Sequence, residues 1–549
     1  MKKHRTVKKP VAVEELMPKR DLLNSTKLKE TVSKIEKSGE QTLDGILVSE
    51  DINENRKKLE GVFKNCQDAV FRDFTVGSIP VNCFVIYLDV LVEKDYINNN
   101  LLRPLMMDVR VVDTKKPIAG KELAESLNSG IISVGTSEAV NSISEVVKKI
   151  MVGYSCLFVD GSPFAIGVDT YGTNMRPVGE TIVEAVMRGP QEGFVEALPT
   201  CLSQLRRRLR TPELKLEMFE LGKLSKTYVA ALYIDGLVDK EVLKELKSRL
   251  SRIDTDIIIE SGYVEAFIED NPASVFPQVD ITERPDKCVI ALSEGRIIIL
   301  VDGTPFALIV PIVFTDFLSA PEDNYHRFYF AFTIKILRYL AFIIAFLAPS
   351  LYIAITTYHQ EMIPANLVIT LQSYRAQVPF PAFVEAILME FTFEVIREAG
   401  LRLPKSIAST LSIIGALVIG QVAVQAGIAS PVLLVVVSLT GLCSFTIPSH
   451  DMGRAVRVIK YPIMFLAGSL GVYGIIIGIL FVFIHMASLR SLGVPYLSPM
   501  SPMHTKNVIA DVLKLPLWLS RKRPEYIQKN NSTRMKDNQK PGPEHQSGS

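Results

Sequence analysis

The residues with chemical potential in this chain sit where they are least expected, inside apolar sequence. Glu390, Glu394 and Glu398 recur at i, i+4 and i+8 within the stretch from Phe380 to Leu401, which also carries Glu385 and Arg397. On a helix that spacing makes one acidic stripe. Carboxylates at lipid depth are costly and face a cavity or a partner, and rings of them draw cations into a pore. A helix lying at the membrane interface with its Glu residues in water has the same pattern, and both readings stand. Gln421 and Gln425, at i, i+4 in the apolar stretch 406–426, offer a polar but uncharged alternative lining. Gly468, Gly471, Gly474 and Gly478 run along one side of the last apolar stretch. Small residues so placed let helices approach closely, and packing within the chain is expected rather than dimerisation. The seven His are scattered, and no HExxH, Walker A or GxSxG motif is present. No catalytic residue, cofactor or metal site is expected, and the chain is not read as an enzyme.

These residues need elements to hold them. The 549 residues carry 61 Lys+Arg against 59 Asp+Glu, a net charge of +2 that gives no argument for a nucleic-acid partner. Charge is concentrated in the first 300 or so residues, while Phe328 to Ala487 holds long runs with almost none. A hydrophilic first half and a membrane-embedded second half follow. Phe330–Thr356, 406–426, Pro431–Ile447 and Tyr461–Ala487 read as spans, with the acidic segment as a fifth span or an interfacial helix. Lys335 and Arg338 are expected to snorkel to the cytoplasmic surface. The basic tail after Trp518 favours a cytoplasmic C-terminus, but then Arg454, Arg457 and Lys460 fall outside. A fifth span reverses both, so four or five spans remain open. Six cysteines without a CxxC pair argue against a disulfide framework, and no apolar run follows the basic start, so no secretory signal is expected.

The first half contains an internal echo. Residues 157–166 and 299–308 share Val-Asp-Gly and Pro-Phe-Ala at the same spacing. Asp-Gly between apolar runs is a hairpin signal. The second copy therefore reads as a strand hairpin although 297–318 is apolar enough for a span. The expected fold is an α/β cytoplasmic region of two related subdomains followed by an all-α polytopic membrane domain. The boundaries are a flexible charged arm over 1–59, subdomains over 60–195 and 212–311, and an Arg-rich linker over 196–211 around Arg206-Arg207-Arg208. The membrane domain covers 312–488, and a C-terminal segment with a basic tail covers 489–549.

An ordered set of motifs from about residue 60 to 525 resembles the A subunit of GerA-type spore germination receptors. It comprises Arg188-Gly189-Pro190-Gln191-Glu192-Gly193-Phe194, Thr282-Glu283-Arg284-Pro285-Asp286, Glu294-Gly295-Arg296, Val301-Asp302-Gly303-Thr304-Pro305 and Pro321-Glu322-Asp323. It continues with Pro349-Ser350-Leu351-Tyr352, Pro379-Phe380-Pro381-Ala382-Phe383, Arg402-Leu403-Pro404 and Gly493-Val494-Pro495-Tyr496-Leu497-Ser498-Pro499. Cys201 and Asn324 depart from the family pattern. The resemblance implies the inner membrane of a bacterial spore, a transporter-like B subunit and a lipoprotein C subunit as partners, and a homo-oligomer, a pentamer, that conducts monovalent cations when nutrient arrives. A non-conducting scaffold or signal transducer, and an amplifying channel of a related subgroup, are the alternatives. The sequence does not name the nutrient.

Overall fold

The computed structural model describes residues 45–76, 81–106, 120–128, 137–172, 179, 181, 183–402, 418–503, 515–527, 531–536 and 539. The chain divides into two compact units, Met1–Lys64 with Asp68–Asn174, and Asn65–Gln67 with Met175–Ser549.

The first unit opens with helix α1 (Ile52–Val62), whose first turn is capped by the Asp51 carboxylate accepting from Asn53 N. Strands β1 (Ala69–Val76), β2 (Val81–Leu88), β3 (Ser137–Val140), β4 (Tyr154–Val159) and β5 (Ala165–Asp169) form one antiparallel sheet in the order β1-β2-β4-β5-β3. Helix α2 (Ile143–Ile150) follows β3. The central strands β2 and β4 are buried along nearly their whole length, whereas the edge strand β1 is largely open. Continuous apolar runs thus occupy the middle of the sheet and mixed sequence its edge.

The second unit repeats that order. Helix α3 (Leu198–Arg208) precedes β6 (Leu214–Leu221) and β7 (Thr227–Ile234). Then come α4 (Lys240–Ser251), α5 (Ser261–Ile268), β8 (Asp280–Thr282), α6 (Pro285–Ser293), β9 (Ile297–Val301) and β10 (Ala307–Val310). The sheet runs β6-β7-β9-β10-β8. The echoed sequences lie on β4–β5 and β9–β10 in one register, Leu157 facing Ile166 and Ile299 facing Leu308. Each Asp-Gly forms the turn, with Gly161 at φ 81° and Gly303 at φ 90°, a region that favours glycine. The segment 297–310 is therefore a buried hairpin and not a span.

Two assignments change at the helices that lead into the sheets. Part of the expected arm is α1, with Ile52, Asn55 and Leu59 buried; residues 1–44 lie outside the described residues. The expected linker is mostly α3. Arg206 is 1% exposed and donates to Leu214 O at 2.8 Å, and Arg208 pairs with Glu192 at 2.6 Å. An Arg run looks solvated when read alone, but here β6 supplies the acceptor.

From Phe328 to Ser488 the described elements are helical, chiefly α7 (Phe328–Thr357), α8 (Ala365–Arg375), α9 (Ala382–Arg402), α10 (Pro431–Phe445), α11 (His450–Leu470) and α12 (Val472–Ser488), and a small antiparallel pair, Arg490–Ser491 with Val494–Pro495, follows. Among the described residues α7 alone is both long and apolar enough to cross a membrane by itself, and α10 and α12 are shorter apolar helices. The expected last span, Tyr461–Ala487, is two helices. Gly471 takes φ 63°, ψ −140° and stops α11, and α12 turns back along it. Most of 406–426 lies outside the described residues; Gln421 and Gln425 sit in the short helical turns Val418–Val422 and Ala423–Gln425. Helices α7, α9, α10 and α11 share one apolar core containing Phe346, Ile353, Met389, Leu433, Val437 and Met464.

Candidate functional site

The acidic helix α9 packs against α10 and α11, and its carboxylates meet cations there. Glu390 is 1% exposed and forms an ion pair with Lys460 of α11, itself 4% exposed. One turn on, Glu394 pairs with Arg457 of α11. Arg397 Nη1 lies 3.7 Å from the Glu394 carboxylate. The Arg397 guanidinium donates to Ser444 Oγ of α10 at 2.7 Å and stacks over Phe393 and Phe445, 5.1 and 4.6 Å from the ring centroids. Two carboxylates and three cations therefore share one seam inside an apolar bundle. Buried charges persist only when paired and hydrogen-bonded, and Glu390 Oε1 remains without a hydrogen-bond partner. Toward the start of α9, Glu385 is fully buried and accepts from Ser430 N at 2.6 Å, while Ser430 Oγ contacts Tyr352 Oη at 3.1 Å. Glu398 departs from the stripe: it is exposed and pairs with Arg402 at 2.6 Å. Gln421 and Gln425 are exposed too.

Glycines set how closely these helices approach. A Cβ on Gly474 would lie 2.0 Å from Leu466 O, and one on Gly478 would lie 3.2 Å from Ile463, so both face α11 of the same chain. A Cβ on Gly468 would strike the Phe383 ring of α9 at 2.8 Å, and one on Gly471 would meet His359 at 2.9 Å. Gly441 of α10, which its isolated position in sequence does not mark out, admits the Phe393 ring, 2.3 Å from where a Cβ would stand.

A second charged cluster joins the β6–β10 sheet to α7. Arg284, fully buried, holds both Asp286 oxygens at 3.1 and 2.7 Å and donates to Glu184 O and Pro190 O at 3.1 and 2.9 Å. Tyr325 Oη donates to Asp286 at 2.6 Å. Its ring lies 2.7 Å from where a Cβ on Gly189 would stand, and Gly189 has φ 130°. The Glu283 carboxylate accepts from Val183 N and Glu184 N at 2.6 and 2.8 Å. Two residues before Tyr325, Asp323 pairs with Arg338 of α7 at 2.6 Å, and both are buried. Lys335 and Arg338 thus do not reach solvent; the protein supplies the anion for Arg338. Lys287 pairs with Asp280 at 2.8 Å. Burial alone would push its ammonium down, but Asp280 and Glu184 hold it above its usual range.

The structure brings Glu390 and Glu394 together with partners 70 and 63 residues away and leaves Glu398, Gln421 and Gln425 apart from them. Lys460, Arg457 and Arg397 complete the seam. Sequence inspection treats the first two as a topology conflict, since nothing local in α9 announces its counter-ions. Among the described residues no group of three His, Cys, Asp or Glu could hold a metal.

The family model for the Bacillus/Clostridium GerA spore germination protein matches residues 57–526. Spore germination protein KA of Bacillus subtilis is 40% identical over 499 residues, covering 91% of this chain and 90% of that protein. Spore germination protein GerLA of Bacillus cereus is 33% identical over 477 residues, covering 87% and 96%. The crystal structure of the N-terminal domain of the A subunit of the Bacillus megaterium spore germinant receptor GerK3 matches at 33% identity with a TM-score of 0.39, covering 49% of this chain and 97% of that one. With its own model matched over most of the length and full-length relatives at this identity, the chain belongs to the GerA family of spore germination proteins.

Proposed function

We propose that the chain is a multi-pass subunit of a spore nutrient receptor, with both ends on the cytoplasmic side, and that copies of it, expected as a pentamer, assemble around a cation path. A transporter-like B subunit and a lipoprotein C subunit are the expected partners. The crossing geometry supports the multi-pass reading. Helix α7 begins beside the second sheet, at the Asp323–Arg338 pair, and ends beside the α11–α12 turn, where Tyr358 Oη donates to Gly468 O at 2.9 Å. Helix α12 returns to the sheet, where His485 Nε2 lies 2.9 Å from Ser274 Oγ. The break at Gly471 adds a crossing that an unbroken span lacks. Counting the span expected from sequence over 406–426, the crossings number six. Arg454, Arg457, Lys460 and the basic tail then all lie toward the cytoplasm, as the positive-inside bias requires.

The observation that carries the channel reading is the α9–α11 seam. Charged side chains in an apolar bundle are retained for ion pathways and their gates. In this arrangement Glu390 and Glu394 are locked to Lys460 and Arg457, so a carboxylate ring is masked, and conduction requires α9 to turn them toward the axis. The same pairing favours a second reading, a non-conducting transducer in which the seam only ties helices together. Potassium efflux from liposomes holding the purified chain, with and without its partners, separates them. A channel gives cation-selective flux that Glu390→Gln with Glu394→Gln alters at normal protein abundance. A transducer gives no flux while the partners still respond, and unchanged flux and selectivity in that double variant moves the lining to Gln421 and Gln425.

A further inference from the structure

A cavity of about 180 Å3 lies between α6, β10, the loop 311–324, the first turns of α7 and the C-terminal segment. Its lining carries both signs of charge: Lys287, Arg296 and Lys335 with Asp280, Asp316 and Asp323. Thr315, 2% exposed, lines it with a hydroxyl that has no hydrogen-bond partner. A buried hydroxyl left unpaired costs free energy that a polar guest recovers. The C-terminal segment contributes Leu515, Leu517, Lys522 and Arg534. It is held by Arg523, which donates to Ser293 O at the end of α6 at 2.9 Å.

Aromatic and apolar side chains flank this cavity. The outer side of α7 here is aromatic, with Tyr329 and Phe330 exposed and Phe328 edge-on to Trp518 at 6.2 Å. Leu517 and Leu519 are exposed beside Trp518. Aromatic belts mark the membrane–water boundary, and basic pockets at that level bind headgroups.

We propose that this cavity seats the headgroup of a phospholipid bearing a phosphate and a primary ammonium, with its acyl chains leaving past Leu515 and Leu517. The proposal rests on the reading that α7 spans the membrane. A zwitterionic headgroup matches a lining of both signs, whereas an anionic one sets its net charge beside Asp280, Glu294, Asp316 and Asp323. A primary ammonium donates three hydrogen bonds to such carboxylates, whereas a quaternary ammonium donates none. The phosphate falls to the cationic lining and to the Thr315 hydroxyl. A lipid held there ties the second sheet, α7 and the C-terminal segment together.

The full chain is reconstituted in nanodiscs of phosphatidylcholine alone, or mixed with phosphatidylethanolamine or phosphatidylglycerol, and retained lipid is read by native mass spectrometry. Phosphatidylethanolamine is expected to be retained in preference to both others. Lys522→Gln with Arg534→Gln, the first exposed and the second half-buried, is expected to weaken retention roughly ten-fold, equivalent to about 1.4 kcal/mol. Thr315→Val is expected to weaken it less. Equal retention of the three lipids overturns the proposal, as does retention unchanged in all variants. Soluble O-phosphoethanolamine that raises the thermal midpoint in detergent as much as the lipid does makes this a site for a free solute and sinks the lipid source. A chain that fails to float with vesicles sinks the membrane reading and this proposal with it. A chain that floats but retains no lipid sinks this proposal alone.

Discussion

The two sheets share a strand order and a turn, yet use one equivalent position in opposite ways. In both, the hairpin aspartate reaches the N-terminus of the helix that leads into the sheet. Asp160 accepts from Ile52 N at 3.4 Å and Asp302 from Leu198 N at 3.1 Å, while the next glycine donates to Glu50 O or Glu196 O, each at 2.9 Å. The Asp-Gly dipeptide is thus at once a turn and a cap for a distant helix. The residue before the helix that leads into the fourth strand separates the copies. In the first it is Ser142, whose hydroxyl caps α2 by accepting from Glu145 N at 3.2 Å. In the second it is Arg284, which gives α6 no side-chain cap and reaches instead to Asp286, Glu184 and Pro190. One copy uses the position to finish a helix; the other uses it to fasten the sheet to the loop that carries Glu184 and Pro190. A shared fold leaves such positions free to diverge, because the cap is a local requirement that Pro285 at the first turn relieves.

This contrast can be broken experimentally. The largest effect is expected for Arg284→Met, which leaves Asp286 buried without its cation. A loss of about 3–5 kcal/mol is expected for the full chain in detergent denaturation. A loss below about 1 kcal/mol would reduce Arg284 to a cap substitute. Gly189→Ala brings a Cβ onto the Tyr325 ring at a φ that disfavours side chains, and about 1–3 kcal/mol should be lost. Tyr325→Ala in the same chain should recover part of it, and an unrelieved loss would assign the cost to backbone strain alone.

Two smaller effects sharpen the comparison. Glu265 on α5, pushed up to about 7 by burial and then by Asp451, Glu269 and Glu260 against the pull of Arg454, belongs to the second unit. Its proton is bound more tightly in the folded chain than in the unfolded one. The associated stability is complete below about pH 4.5 and is lost as pH rises through about 7. Because the group is partly solvated, the swing should be on the order of 1 kcal/mol. Glu265→Gln should flatten thermal midpoints between pH 5 and 8, and an unchanged slope would place the titration elsewhere. Ser142→Ala should cost about 1 kcal/mol at most, confined to α2 in amide exchange, and a loss matching that of Arg284→Met would erase the contrast between the copies.

Much of this was legible in sequence because it is local. Val-Asp-Gly followed by Pro-Phe-Ala identifies both hairpins, since a tight turn needs glycine at positive φ and its flanks need apolar strands. The periodicity of 390, 394 and 398 predicts a stripe because helical geometry is set by the backbone. Other features depend on neighbours. Arg206 lies in a run that looks solvated, and only the carbonyl of Leu214, brought beside it by β6, makes it a buried residue. The same four glycines that announce close packing also hid a chain reversal: Gly471 stops the helix and its neighbours pack on either side. The counter-ions of Glu390 and Glu394 could not be read at all. A carboxylate specifies that a cation must be near, but which one is decided when α11 lies along α9, and that choice belongs to the packing of whole helices rather than to any window of sequence.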